Sequence, residues 1–215
     1  MDNLDLGIKM SSLTHRNGWY VPVADKVALD IILREVNDVE QMLPYCKQYR
    51  TAIQAGGNVG IWPKRLSQTF KQVITAEPDP DNYAALRKNI DGIDNIAPLW
   101  MAFGDKGMTA SMDHIDPENV GAHQIKEGTD FTVVTIDSMG IKDCDFLQLD
   151  IEGYEHMAIV GAAQTIHKSW PVICLELKGL GKRYGADDAM TVSLLQSWGY
   201  KIAERIHRDI LFVKD

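Results

Sequence analysis

Three acids crowd into six residues of this chain: Asp150, Glu152 and Glu155 in the run Asp150-Ile151-Glu152-Gly153-Tyr154-Glu155. Carboxylates this close repel one another unless water, a cation or a ligand's hydrogen-bond donors balance them. They follow the apolar run Phe146-Leu147-Gln148-Leu149, which reads as a buried strand. Ligands of open α/β sheets bind outside the carboxyl ends of strands, so these acids should face a crevice. Capping of a helix N-terminus is the plainer alternative, and it suits Glu155 better than Asp150. Glu176 closes a second apolar run and should lie on the same rim. A carboxylate so placed can take a proton from an attacking hydroxyl. Asp150 is the first candidate for that base, Glu152 the second and His156 a distant third.

A second group lies upstream, in Gln54-Ala55-Gly56-Gly57-Asn58-Val59-Gly60 between an apolar strand and a helix. Glycine is needed where the backbone turns sharply and comes close to a ligand, because a Cβ would collide. Two spacings are present: Gly56-x-x-x-Gly60, and Ala55-x-Gly57-x-x-Gly60, a dinucleotide fingerprint with its first glycine replaced. Glu77, followed by Pro78, ends the next strand about 20 residues on, where an acid can accept from both ribose hydroxyls of an adenosine. That acid does not choose between adenosine cofactors.

The elements that position these residues alternate. Residues 51–57 read as a strand running into glycine, 61–70 as a helix and 72–78 as a second strand ended by Pro78. Residues 79–90 read as a helix with Asp79 or Asp81 as its cap, and 95–105 as a third strand ending at Gly104-Asp105. This alternation predicts a parallel sheet covered on both faces. Further strands are expected at 131–139, 145–153 and 171–179, with helices over 155–169 and 186–198. Two strand-like runs, 200–206 and 210–214, flank His207-Arg208-Asp209 and predict a closing antiparallel hairpin.

The polar stretch 108–128 is expected to be a loop or small hairpin inserted beside the sheet. Its His114 and His123, with Trp19, Tyr20 and Tyr184, are candidates to shape a second-substrate pocket. Each alone is more simply a surface or packing residue. Before the first sheet strand, 19–22 reads as a short strand and 25–49 as one or two helices with Pro44 near a boundary. The expected division is an N-terminal extension, 1–50, packed on a domain spanning 51–215.

With 215 residues, 45% hydrophobic and 24% charged, the composition is that of one globular α/β domain. A formal charge of -8 supplies no basic footprint for nucleic acid or an anionic membrane, so neither is an expected partner. No apolar run is long enough for a bilayer, and the N-terminus shows no secretory pattern. Cys46, Cys144 and Cys174 lack metal or redox spacing and read as core thiols in a reducing compartment, which suits a cytoplasmic protein. Assembly of identical copies is left open.

Taken together, the stretches AGGNVG, AEPDP, TID at 135–137, DIEGYE and PVICLEL resemble the FkbM family of methyltransferases, in the family's order and over roughly residues 50–180. The Gly56-x-x-x-Gly60 spacing fits the loop of that family. The resemblance implies a class I methyltransferase sheet of order 3-2-1-4-5-7-6 with its last strand antiparallel. It implies S-adenosylmethionine as methyl donor and O-methylation of a hydroxyl on a sugar or secondary metabolite. By position, Gly56, Gly57, Asn58 and Gly60, with Gln54, would hold the methionine part of the cofactor. Glu77 and Pro78 would hold the ribose, Phe103, Gly104 and Asp105 would sit near the adenine, and Asp150 near the sulfonium.

Three positions depart from the family. An acid usually stands where this chain has Gln54, a lysine where it has Gln148, and a small residue where it has Tyr154. A neutral Gln54 would bond the cofactor's amino group without charge assistance. The rival readings are a catalytically silent adenosyl-binding protein of the same fold and, more remotely, an NAD-dependent oxidoreductase. Asp137, Asp150, Glu152 and Glu176 are the carboxylates that could gather round a hard cation. No His-x-x-x-His spacing supports a transition metal, and no metal is expected to be required.

Overall fold

Residues 12–116 and 118–214 are described by a computed structural model. The reading of the N-terminus as free of a secretory pattern falls mostly on residues 1–11 and lies outside that span. The described chain opens with a hairpin, β1 (Leu13–Arg16) and β2 (Trp19–Pro22). It turns on Asn17-Gly18, where φ is 50° and 84°, as a two-residue hairpin turn requires. Helices α1 (Ala28–Glu35) and α2 (Val39–Met42) follow, and Pro44 lies in the 3-10 turn Leu43–Tyr45 that ends them. Asn89 receives Tyr20 N–H on its side-chain oxygen and donates its amide to Tyr20 O, both at 2.8 Å, fastening β2 to the helix that carries Asn89.

The alternation then begins: β3 (Thr51–Ala55), α3 (Ile61–Ser67), β4 (Gln72–Ala76), α4 (Pro80–Asn89) and β5 (Ile96–Leu99). Of the two candidate caps for α4, Asp79 is the one used; its Oδ1 accepts from Asp81 and Asn82 N–H at 3.0 Å each. The single strand expected over 95–105 is two. After β5 the chain leaves the sheet, and β6 (Ala102–Phe103) pairs instead within a second, four-stranded sheet. The break falls just after Pro98, which is tolerable because β5 is an edge strand. The inserted stretch is indeed a hairpin: β7 (Met108–Asp113) and β8 (Gln124–Glu127) pair antiparallel, and β9 (Phe131–Val134) completes the small sheet.

The chain returns to the main sheet with β10 (Cys144–Leu149). The one helix expected over 155–169 is two, α5 (Glu155–Val160) and α6 (Ala163–Ser169). Gly161 at the break lies against the backbone of Gly104, where any side chain would overlap the carbonyl oxygen. β11 (Val172–Glu176), α7 (Asp188–Ser197), β12 (Lys201–Ile206) and β13 (Asp209–Val213) finish the fold, with Asp209 inside the last strand rather than in the hairpin loop.

The seven main strands lie in the order β12-β13-β11-β10-β3-β4-β5, parallel except where β13 runs against both its neighbours. One face packs Ala52, Val73, Phe146 and Cys174 under residues of α1 to α4; the other packs Ile53, Leu147, Ile173 and Phe212 under α5, α6 and α7. The strands therefore carry near-continuous apolar runs, as doubly covered strands must. All three cysteines are buried free thiols.

Candidate functional site

The sheet splits between β3 and β10, since β3 leads to β4 on one side and β10 to β11 on the other. Such a switch point opens a crevice at the strand carboxyl ends. The two chains touch there. Asp150 N–H bonds Ala55 O at 3.2 Å, and a Cβ on Gly56, whose φ is +81°, would overlap the carbonyl oxygen of Asp150. Gly56 and Gly57 both donate to Ala76 O, at 3.1 and 3.0 Å, which folds the turn back across the end of β4.

Glu77 locks that turn from the neighbouring strand. Its carboxylate accepts Asn58 N–H at 2.7 Å on one oxygen and Asp79 N–H at 2.9 Å on the other. Burial, aided by the negative charge of Asp79, pushes its pKa up to about 8 against the pull of those two donors. Glu77, Pro78, Gly56, Gly57 and Asn58 line one cavity with Phe103 and Asp150. Its roof is α1, through Ile31, Ile32 and Glu35, together with Val120 and Gly121 of the insert. The cavity measures about 170 Å³, below the roughly 300–1,000 Å³ of ordinary small-molecule sites.

The acid run divides by role. Glu155 is buried and accepts Ile151 N–H at 2.9 Å and Gly153 N–H at 3.3 Å, so it caps the turn that starts α5. Burial pushes it up to about 7. Asp150, Glu152 and Glu176 instead surround Lys178. Its ammonium donates to Glu152 at 2.8 Å and to Glu176, and lies 3.8 Å from Asp150. One ammonium among three carboxylates leaves an excess of negative charge, which favours the neutral form of one of them. Burial, the charge of Glu176 and the hydrogen bond to it push Asp150 well above the carboxylate range. The Asp150 side chain nevertheless keeps 37% of its surface open to the cleft. Burial works to raise Glu176 too, but the bond from Asp150 and the Lys178 ammonium hold it below its ordinary value.

Several candidate residues stand elsewhere. Gln54 is fully buried beneath the turn, where its amide donates to Ala55 O and Gly56 O and its carbonyl accepts from Thr75. Gly60 is the left-handed residue that starts α3, packed against Ile90 and Leu86. Gly104 is wedged between Val133 and Tyr154, and Asp105 abuts Gly161, so of the adenine-side trio only Phe103 reaches the cavity. His156 bonds Thr191 at 3.1 Å between α5 and α7. Tyr184 donates to Ile125 O at 3.0 Å, and its ring meets Tyr154 edge-on. Trp19 and Tyr20 receive Lys64 and Lys88 over their ring faces. Asp137 caps α6 through Gln164 and Thr165, away from the other three acids.

Two departures from the family prove to be one. Gln54 and Gln148 are register partners across β3 and β10, so both departures fall on one pair of neighbouring buried positions. A pair of amides stands there, and Gln148 Oε1 has no hydrogen-bond partner among the described residues. Lys178 was missed, although it lies two positions past Glu176 and so on the same strand-face register. Asn82 was missed too, and nothing in its local sequence marks it. It is buried at the cavity wall, donates to Val120 O at 2.9 Å, and leaves its Oδ1 without a partner among the described residues.

A doubly wound sheet with an antiparallel finish, holding a glycine turn, a strand-end acid and a carboxylate rim at its switch point, defines an α/β methyltransferase domain. Residues 54–202, more than half the chain, match the family described as the methyltransferase FkbM domain. The chain belongs to that family. Among solved structures it is similar to a methyltransferase FkbM from Methylobacillus flagellatus KT, at 18% identity and a TM-score of 0.54, over 76% of this chain and 43% of that one. It is also similar to Trm5b from Pyrococcus abyssi, at 14% identity and 0.52, over 96% and 56%. A third similar structure is precorrin-6y C5,15-methyltransferase from Geobacter metallireducens GS-15, at 9% identity and 0.51, over 93% and 95%. The chain thus spans about half the length of the first two. At these identities the likeness speaks for the fold. No curated protein matches the chain. No helix among the described residues is long and apolar enough to cross a membrane.

Proposed function

We propose that this chain transfers a methyl group from S-adenosylmethionine to a hydroxyl oxygen of a carbohydrate or other small acceptor. One observation carries the reading: the glycine turn and Glu77 are walls of a single cleft, joined by the 2.7 Å bond from Asn58 N–H. The sheet order, with β13 reversed, is that of the class I methyltransferases and supports the same reading. The residues present suit an adenosyl group. Glu77 keeps lone pairs free for ribose hydroxyls, Asn82 Oδ1 awaits a donor, and Phe103 supplies an apolar wall. When bound, the cofactor supplies a methyl carbon already activated by its sulfonium. The chain's own part is to exclude water, orient the acceptor and, with the Asp150–Glu176 pair in its fully ionised form, take the acceptor's proton there, with Lys178 holding that pair in place.

Calorimetric titration with S-adenosylhomocysteine and with NADH tests the cofactor. S-adenosylhomocysteine is expected to bind and NADH is not; the reverse result points to an oxidoreductase. Asp150→Asn should keep S-adenosylhomocysteine affinity while lowering turnover about 10²–10⁴-fold, the ordinary worth of a general base. Undiminished turnover in that variant removes Asp150 from the role. Tight binding with no turnover on any hydroxylated acceptor favours the silent binding protein.

A further inference from the structure

The hairpin β7–β8 brings together two histidines that lie nine positions apart in the sequence, 114 and 123. Asp113 and Gln124 are paired across the strands, so His114 and His123 stand at the next opposed positions, with ring centroids 4.2 Å apart. Both rings turn a nitrogen toward the same carboxylate oxygen. His114 Nε2 and His123 Nδ1 each lie 3.0 Å from Asp79 Oδ2. Asp79 is almost fully buried and divides its two oxygens: Oδ1 caps α4, while Oδ2 meets only the two imidazoles among the described residues.

We propose that Asp79, His114 and His123 form a binding site for a divalent transition ion of the zinc type, which fastens the insert to the N-terminus of α4. Imidazole nitrogen and carboxylate oxygen are the donors such ions take, whereas magnesium and calcium prefer oxygen alone. Tetrahedral bonds of about 2.0–2.1 Å set ligand atoms roughly 3.3 Å apart, close to the 3.0 Å separations here. Small outward shifts of the two rings would open the space for an ion. Half of the His114 side chain is exposed, at 53%, while that of His123 is 9% exposed, so the fourth position opens to water on the His114 side.

The site adjoins the cleft on its Glu77 wall, since Asp79 N–H bonds Glu77. The loop it would close carries Val120, whose carbonyl accepts from Asn82 and Asn58, and Val120 and Gly121 form part of the cavity roof. An ion on the triad would therefore hold that roof down. Metal binding requires no cofactor, so its test stands apart from the proposed methyl transfer.

The rival account is a plain hydrogen-bonded cluster, in which each imidazole donates its N–H to Asp79 and no ion enters. Untagged chain, stripped with chelator and dialysed against zinc, decides between the two by metal content per chain. One zinc per chain is expected, with a rise in unfolding temperature that chelator reverses. His114→Ala should weaken zinc binding about 10–100-fold or more, and its half-exposed position leaves the core undisturbed. Asp79→Asn keeps a capping side chain and should weaken binding comparably. Cobalt in place of zinc should give the intense visible bands of a low-symmetry, four-coordinate site. Failure of the folded chain to retain zinc overturns the proposal. So does unchanged uptake by the His114→Ala, His123→Ala double variant, which would put the ion elsewhere.

Discussion

Asp150 is pushed up and Glu176 held down because Lys178 answers only part of the negative charge around it, which favours one proton shared between the two carboxyls. That balance should respond to any cation brought near. A positive charge beside a carboxyl favours its ionised form, so a sulfonium ligand should expel the shared proton and a neutral thioether should not. Calorimetry in buffers of differing ionisation enthalpy is expected to show more proton release with S-adenosylmethionine than with S-adenosylhomocysteine. The difference should vanish in Asp150→Asn. Equal release with both ligands sinks the idea. At this scale the sequence revealed residue types but not partnerships. It marked Asp150 and Glu176 as neighbours on a rim, but Lys178 entered only with coordinates. The ion-pair geometry depends on side chains at and just past the carboxyl ends of β10 and β11 meeting on the sheet rim.

Helix α5 ends at Gly161 for a reason that only packing supplies. By local propensity a glycine inside residues 155–169 is a weakness, and replacing it with alanine should gain about 1 kcal/mol. The fold argues for the opposite sign. A methyl group there would overlap the Gly104 carbonyl, and overpacking of that kind costs roughly 1–3 kcal/mol. Gly161→Ala is therefore expected to lower the urea midpoint without altering the slope, whereas a raised midpoint would show that α5 and α6 can fuse. The same contact explains why Gly104 and Asp105 are absent from the cavity. They serve as the floor on which this break rests, while Phe103, one residue earlier, lines the cleft. Alternation along a strand is readable from sequence; the sheet to which β6 belongs was not, because its partner β9 lies about thirty residues away.

For the molecule as a whole, acids that resist ionisation set the response to pH. Glu77 is pushed up to about 8, Glu155 and Asp209 up to about 7, in each case chiefly by burial. A carboxyl whose folded pKa is raised binds more protons folded than unfolded across the interval between the two values. Its stabilisation is complete below its unfolded pKa and is lost as pH rises through the folded one. Asp79 and Glu176 are lowered and act oppositely, but only near and below their ordinary values. The chain should thus be more stable near pH 5.5 than near pH 8.5, by at least about 2 kcal/mol. At about 2–4 °C per kcal/mol, that is several degrees of unfolding temperature. Glu77→Gln and Glu155→Gln should each flatten the profile. A flat wild-type profile, or one rising with pH, would mean these acids stay ionised in the fold.

What the sequence alone determined was everything local chemistry dictates. The strand and helix alternation, the glycine turn at Gly56, an acid cap at Asp79 or Asp81, the strand-end acid Glu77 and the closing hairpin each follow from residue types within a few positions. Only the tertiary structure decided which distant residues meet. It set Gln54 opposite Gln148, Lys178 among three acids, Asn82 at the cavity wall and two histidines on Asp79. Those meetings are fixed by strand register and by the closure of long connections, and no short stretch of sequence encodes either.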